Sequence, residues 1–134
     1  MFSKSCKYAI RAVLHIAAHT GGEKKIGAKE IAEALEVPKS FLAKLLQQLA
    51  RHHLISSSKG AGGGFYLAPE NQEVSLEDVI RCIDGEDLFT SCALGLPVCS
   101  SDKPCPLHCH TLAFRQSIEQ MRSIPALARE IKEN

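Results

Sequence analysis

No apolar run in this 134-residue chain reaches the roughly 20 residues needed to cross a bilayer. The opening residues, Met1-Phe-Ser-Lys-Ser-Cys-Lys, lead into an apolar stretch that Arg11 and His15 interrupt. A signal peptide needs an unbroken apolar centre and a small-residue cleavage site, so a cytoplasmic location is expected. Internal repeats and low-complexity segments are also missing. So is the equipment of an enzyme: there is no Ser-His-Asp set, no carboxylate pair in a pocket and no cofactor loop. The glycine-rich stretch Lys59-Gly-Ala-Gly-Gly-Gly64 does not serve as a cofactor loop. After Gly60 and Gly62 the dinucleotide motif requires glycine where Phe65 stands, and no Gly-Lys-Ser/Thr follows to make a P-loop. His52-His53 reads as a polar helix end.

What is present suits one folded domain with a small appendage: 45% of residues are hydrophobic and 23% charged. The net charge of +1 hides an asymmetry. Residues 1–60 carry ten Lys or Arg against four Glu, whereas residues 61–134 carry six basic against eleven acidic residues. A basic front half points to a polyanion partner, and a merely solvated charged surface is its plain alternative.

The cysteines are concentrated. Four of six, with two of six histidines, lie in the 19 residues from Cys92 to His110. Prolines, a glycine and small polar residues break any helical or strand period there, so a loop is expected. In a cytoplasmic protein such a loop suggests metal or redox chemistry rather than structural disulfides. Cys6 and Cys82 fall on predicted helices. Cys6 reads as a small buried hydrophobe, and for Cys82 a core thiol beside Val79 and Ile83 is as reasonable as a redox role.

Around this loop the pattern is mostly helical. Ile10, Val13, Leu14 and Ala17 mark a helix over 4–19, stopped by Thr20-Gly-Gly. A short helix over 28–35 buries Ala28, Ile31, Ala32 and Leu35. After the break at Glu36-Val-Pro-Lys39, a third helix runs to about His52, with Pro38 expected in its first turn. Its buried stripe is Leu42, Leu45, Leu46 and Leu49. Lys39, Ser40, Lys44, Gln47, Gln48 and Arg51 are left for solvent or a partner. A short helix, a tight turn and a longer helix with a basic outer face form a helix-turn-helix. Strands at 54–58 and 65–68 around the glycine tip then complete a winged helix. Its tip lets backbone approach a phosphate, and Lys59 adds charge. Ser75-Leu-Glu-Asp78 has the form of a capping box and starts a helix ending at Asp84-Gly85. Residues 111–123 read as a further helix with Phe114, Ile118 and Met121 on one face, broken at Ile124-Pro125. Ala126 to Lys132 would add a last turn or two. An apolar helix face beyond a complete winged helix needs cover, and a second copy of the chain supplies it.

Four stretches together resemble the Rrf2 family of bacterial transcriptional regulators: Tyr8-Ala-Ile-Arg-Ala12, Ile31-Ala32 through Val37-Pro-Lys-Ser-Phe-Leu42, the wing from Lys59 to Leu67, and the cysteine loop. The likeness covers nearly the whole chain. Its cysteine loop is similar to that of the members that bind an iron–sulfur cluster. The resemblance implies a mainly α winged helix-turn-helix protein with a small β-hairpin and a long C-terminal dimerisation helix. Residues 1–70 would form the DNA-binding domain. Residues 71–134 would carry the capped short helix, the cluster loop (92–110) and the dimerisation helix. The implied partners are a double-stranded DNA operator and a second copy of the chain. The implied activity is repression, responsive to iron–sulfur status, nitric oxide or redox stress.

Cys92, Cys99 and Cys105 are the expected ligands of a two-iron or four-iron cluster, with His108 fourth. Cys109, His110 or a group from the partner chain are the alternatives for that fourth place. The gap Cys92-x6-Cys99 is one residue longer than in the iron–sulfur-assembly regulators of the family, whereas Cys99-x5-Cys105 fits. Where some members supply an acidic ligand from the partner's first helix, this chain has Tyr8. A zinc ion on the Cys3His set and a metal-free thiol switch are rival uses of the loop. A metal-binding adaptor without DNA binding is the rival function. The expected DNA-contacting residues are Lys39, Ser40, Lys44, Gln47 and Arg51 on the recognition helix and Lys59, Gly60, Gly62 and Gly63 on the wing.

Overall fold

The computed structural model describes residues 2–20, 24–92, 94, 96–97 and 102–133, the last three of these by backbone alone. Its centre is α1 (Lys4–His19). Ser3 caps this helix by accepting a hydrogen bond from the Cys6 amide at 3.0 Å. At the other end the Thr20 hydroxyl donates to the Ile16 carbonyl. The sequence places the buried stripe on Ile10, Val13, Leu14 and Ala17. The structure instead buries Cys6, Ala9, Ala12, Val13 and Ile16 fully, and half-buries Ile10, Leu14 and Ala17. The physical reason is that α1 is packed on several sides, by α2 (Ala28–Leu35), α3 (Lys39–Arg51), α4 (Leu76–Asp84) and α7 (Ile124–Glu133). Ala9 and Ala12 let those neighbours come close.

The helix-turn-helix forms as the sequence indicates. Glu36, with φ +58, closes α2, and Val37 donates to the Ala32 carbonyl at 3.0 Å. Pro38 sits one place earlier than expected, as the N-cap of α3 rather than in its first turn. All four leucines of the α3 stripe are buried. The wing is shorter than its sequence signal: β1 (Ser56–Ser58) pairs antiparallel with β2 (Gly64–Tyr66), with Ser57 opposite Phe65. An isolated bridge, Ile26 to Phe65, adds two backbone hydrogen bonds of 3.0 and 2.7 Å on the other edge of β2. It ties the wing to the start of α2.

Asn71, in the 3-10 turn Pro69–Asn71, is the one buried polar side chain among the described residues. Its Oδ1 accepts from the Ala68 amide (2.9 Å) and the Ser56 hydroxyl (2.7 Å), and its Nδ2 donates to the His53 carbonyl (2.9 Å). One side chain therefore joins the end of α3, the first wing strand and the turn after the second. It also holds His53, whose φ of +62 is uncommon outside glycine. Asn71→Ala leaves the buried Ala68 amide without its partner and removes the bonds to the part-buried Ser56 hydroxyl and His53 carbonyl, and is expected to lower unfolding stability by about 2–3 kcal/mol, measured by denaturant titration.

Beyond the wing, Ser75 and Asp78 form the expected capping box at 3.0 and 3.1 Å, and Gly85 closes α4 with φ +76. The C-terminal part departs from expectation. No single long helix forms: α6 (His108–Glu119) and α7 are separated by residues 120–123. Ile124-Pro125 does not break a helix but begins one, because proline lacks only an N–H that a first turn leaves unused. The Ile124 amide donates to the Val74 carbonyl at 2.7 Å, Ile124 is buried against the central core, and Ala128 is buried one turn further on. Met121, expected on the buried face with Phe114 and Ile118, lies past the end of α6 and is exposed. A second, smaller core gathers Cys6, Ile80 and Ile118 with Phe2, Leu88, Phe89 and Phe114. It seats α5 (Asp87–Thr90) and α6, and so the two ends of the cysteine segment.

Candidate functional site

Cys92 stands two residues past the end of α5, and Cys105 lies between Pro104 and Pro106, three residues before α6 begins. Both are half-buried, and their sulfurs stand 3.6 Å apart. His108 was expected on the loop but occupies the first position of α6, where its Nε2 is buried. Thr111 and Arg115 follow it on the same helix face, at spacings of three and seven. Cys92, Cys105 and His108, with Thr90, Ser91, Thr111 and Arg115, line one cavity of about 50 Å³. Three of the four expected ligands therefore border one space; Cys99 lies outside the described residues. Among the described residues, no three His, Cys, Asp or Glu side chains close on one metal position.

The donor set suits a thiophilic centre. A tetrahedral metal with sulfur ligands at about 2.3 Å holds them about 3.8 Å apart, and the two sulfurs here are at 3.6 Å. Cys109 and His110 are exposed on the first turn of α6, off the cavity. Cys6 is different in kind. It is fully buried, and burial, reinforced by the Asp84 carboxylate, pushes its thiol up to about 12. This is the inert core thiol the sequence suggests. Burial also raises the Cys82 thiol, partly offset by Arg51.

A second feature lies on the other side of the helix-turn-helix. Ser40, Lys44, Gln47 and Arg51 recur at four, three and four residues, on the face of α3 opposite its leucines, and all are exposed. Lys39 is exposed at the start of the helix. Gln47 and Arg51 meet Ser57, Lys59 and Gly64 across an open groove of about 660 Å³ between α3 and the wing. Lys59, Gly60 and Gly62 are exposed at the wing tip, and Gly63 is half-buried, its amide donating to the Gly60 carbonyl at 3.0 Å. The wing's own packing also requires its glycines. A Cβ on Gly63 would stand 2.3 Å from the Ser58 carbonyl oxygen, and one on Gly64 2.7 Å from that of Ile26. Gln48 does not join the outer face. Its Nε2 donates to the Cys82 carbonyl at 2.9 Å and so anchors α3 to α4.

The sequence reading passed over Arg115. Its guanidinium donates to the carbonyls of Phe89, at 3.4 Å, and Ser91. The signal available was its spacing of seven from His108, which puts both on one helical face.

The family model described as "Rrf2: Iron-dependent Transcriptional regulator" matches residues 2–124. The HTH-type transcriptional regulator IscR of Sodalis glossinidius is 30% identical over 102 residues, 76% of this chain and 61% of that protein. The HTH-type transcriptional repressor NsrR of Streptomyces coelicolor is 28% identical over 105 residues, 78% of this chain and 66% of that protein. The chain thus spans less than two thirds of either relative. Among solved structures, CymR, the global cysteine regulator of B. subtilis, superposes with a TM-score of 0.79 over 97% of both chains at 22% identity, a likeness of fold.

Proposed function

This chain belongs to the Rrf2 family of transcriptional regulators, and from that membership we propose that it is a repressor whose operator affinity is set by an iron–sulfur cluster on Cys92, Cys99, Cys105 and His108. The observation that carries the reading is the shared cavity. Residues 13 and 16 apart in sequence meet there, with sulfurs at tetrahedral spacing and an imidazole beside them. The iron dependence in the family's description and the wide spacing of the cysteines favour a cluster over a structural zinc. When bound, such a cluster supplies a centre that nitric oxide, oxygen or iron scarcity removes. The chain's own residues hold it: thiolates from the ends of α5 and of the cysteine segment, and the imidazole that opens α6.

The site is physically continuous with the recognition helix. Phe89 of α5 stacks under the Arg81 guanidinium at 4.2 Å, and Arg81 pairs with Glu77 at 2.9 Å and with Glu86. The next residue, Cys82, accepts from Gln48 of α3 through its carbonyl and lies 4.0 Å from the Gln48 carbonyl through its sulfur. Loss of the cluster shifts operator affinity only if these contacts differ between the two states. Residues 1–70 read as the DNA-binding part and 71–134 as the sensing part. A second copy of the chain, covering Leu107, Leu112 and Met121, which are 40–44% exposed before, on and after α6, would set the spacing of two recognition helices.

A thiol switch is the second reading, and the 3.6 Å sulfur separation favours it. When an oxidant such as a peroxide takes two electrons and both thiol protons, closing Cys92 and Cys105 to a disulfide at about 2.05 Å needs a shift of only about 1.5 Å.

Operator binding tests the DNA-reading half. In fluorescence anisotropy on the promoter region of the chain's own operon, Lys44→Ala is expected to weaken binding about ten-fold and to lower the salt slope by about one, the signature of a lost phosphate contact. Unchanged affinity at moderate salt removes Lys44 from the interface.

A further inference from the structure

The geometry points to Arg115 as the positioning residue of the cysteine site: it pins the end of α5 that leads into Cys92 and presents a cationic donor to the group the thiolates hold. The second half of this inference rests on the cluster reading; the first does not. α5 has only four residues, too few to hold itself, and its last carbonyls need partners. Arg115 supplies them. One guanidinium nitrogen donates to Phe89 and the other to Ser91, the residue before Cys92. The same side chain lines the cavity with Cys92, Cys105 and His108. Its Nε is buried and has no hydrogen-bond partner among the described residues. A buried donor on a cation is costly to leave unpaired, and a thiolate or sulfide in the cavity is a suitable acceptor. Hydrogen bonds to the sulfurs are also what tune such a centre.

The test measures placement without any cluster. In metal-free protein with Cys99→Ser, diamide takes the two thiol hydrogens onto its N=N bond as Cys92 and Cys105 join, and peptide mapping follows the 92–105 disulfide. Arg115→Ala is expected to slow that step at least about ten-fold, and Arg115→Lys, which keeps the charge and one donor centre, about three-fold. Arg122→Ala, on the exposed connection between α6 and α7, serves as the control and reacts at the reference rate. An unchanged rate in Arg115→Ala overturns the proposal, as does an Arg115→Lys protein as slow as Arg115→Ala. If Arg115→Ala does not fold, Arg115→Lys decides alone, a reference rate overturning the proposal. In the Cys99-containing chain, iron and sulfide content reports separately on the cluster. A slowed disulfide in protein that takes up no iron would uphold the clamp and discard the cluster.

Discussion

Cys105→Ala protein purified without oxygen is expected to be colourless, with iron and acid-labile sulfide below about a tenth of the unsubstituted content. Cys105 is fixed between two prolines and stands 3.6 Å from Cys92 across the cavity. Its loss takes a thiolate from the converging set, and no described sulfur is placed to replace it. Cys109 is exposed on α6, away from the cavity, and Cys6 and Cys82 belong to the packing around α1 and α4. Cys109→Ala is accordingly expected to keep its colour. Stoichiometric zinc in the colourless unsubstituted protein would contradict the assignment, because it would show the same ligands serving a structural ion.

Gly64→Ala is expected to be the most damaging small substitution in the DNA-reading half. Gly64 has φ +151, and an added Cβ would meet the Ile26 carbonyl oxygen at 2.7 Å and its carbon at 2.8 Å. Both contacts are to backbone, so relief requires opening the Ile26–Phe65 bridge that holds the wing to the start of α2. The combined strain and overpacking are expected to cost about 2–4 kcal/mol of unfolding stability. Operator affinity should fall at least about ten-fold, because the wing wall of the groove shifts away from α3. Gly60→Ala is the comparison: φ there is +88, but the space around it is open. Only the backbone preference is then at stake, about 1 kcal/mol. Equal effects of the two substitutions would show that the bridge does not hold the wing.

The parts legible in the sequence are those whose signals are local. The capping box at Ser75 and Asp78, the leucine stripe of α3 and the glycine tip each lie within a dozen residues, and the structure forms all three. Signals that need a distant partner were not readable. Asn71 acts on Ser56 and His53, and Arg115 on Phe89 and Ser91, contacts that no periodicity announces. The bridge at Ile26 and the four residues of α5 are too short to carry a period. The C-terminal helix was misread because a proline inside an apolar stretch signals a stop as readily as a start. Ser123, whose hydroxyl lies 3.4 Å from the Ala126 amide, was the available sign of a new beginning at Ile124-Pro125. At the cysteine site, residue types and spacing named the side chains, but only the fold shows that Cys92, Cys105 and His108 border one cavity and that α6 carries the histidine.

The coupling between the cysteine site and the recognition helix is most directly tested in one titration. Protein purified without oxygen is bound to its own promoter DNA, and absorbance and anisotropy are recorded together while nitric oxide is added. The account predicts that the visible absorbance is lost and that operator affinity changes by at least about ten-fold in step with it, an effect of about 1.4 kcal/mol or more. Affinity that stays constant while the colour disappears would contradict it.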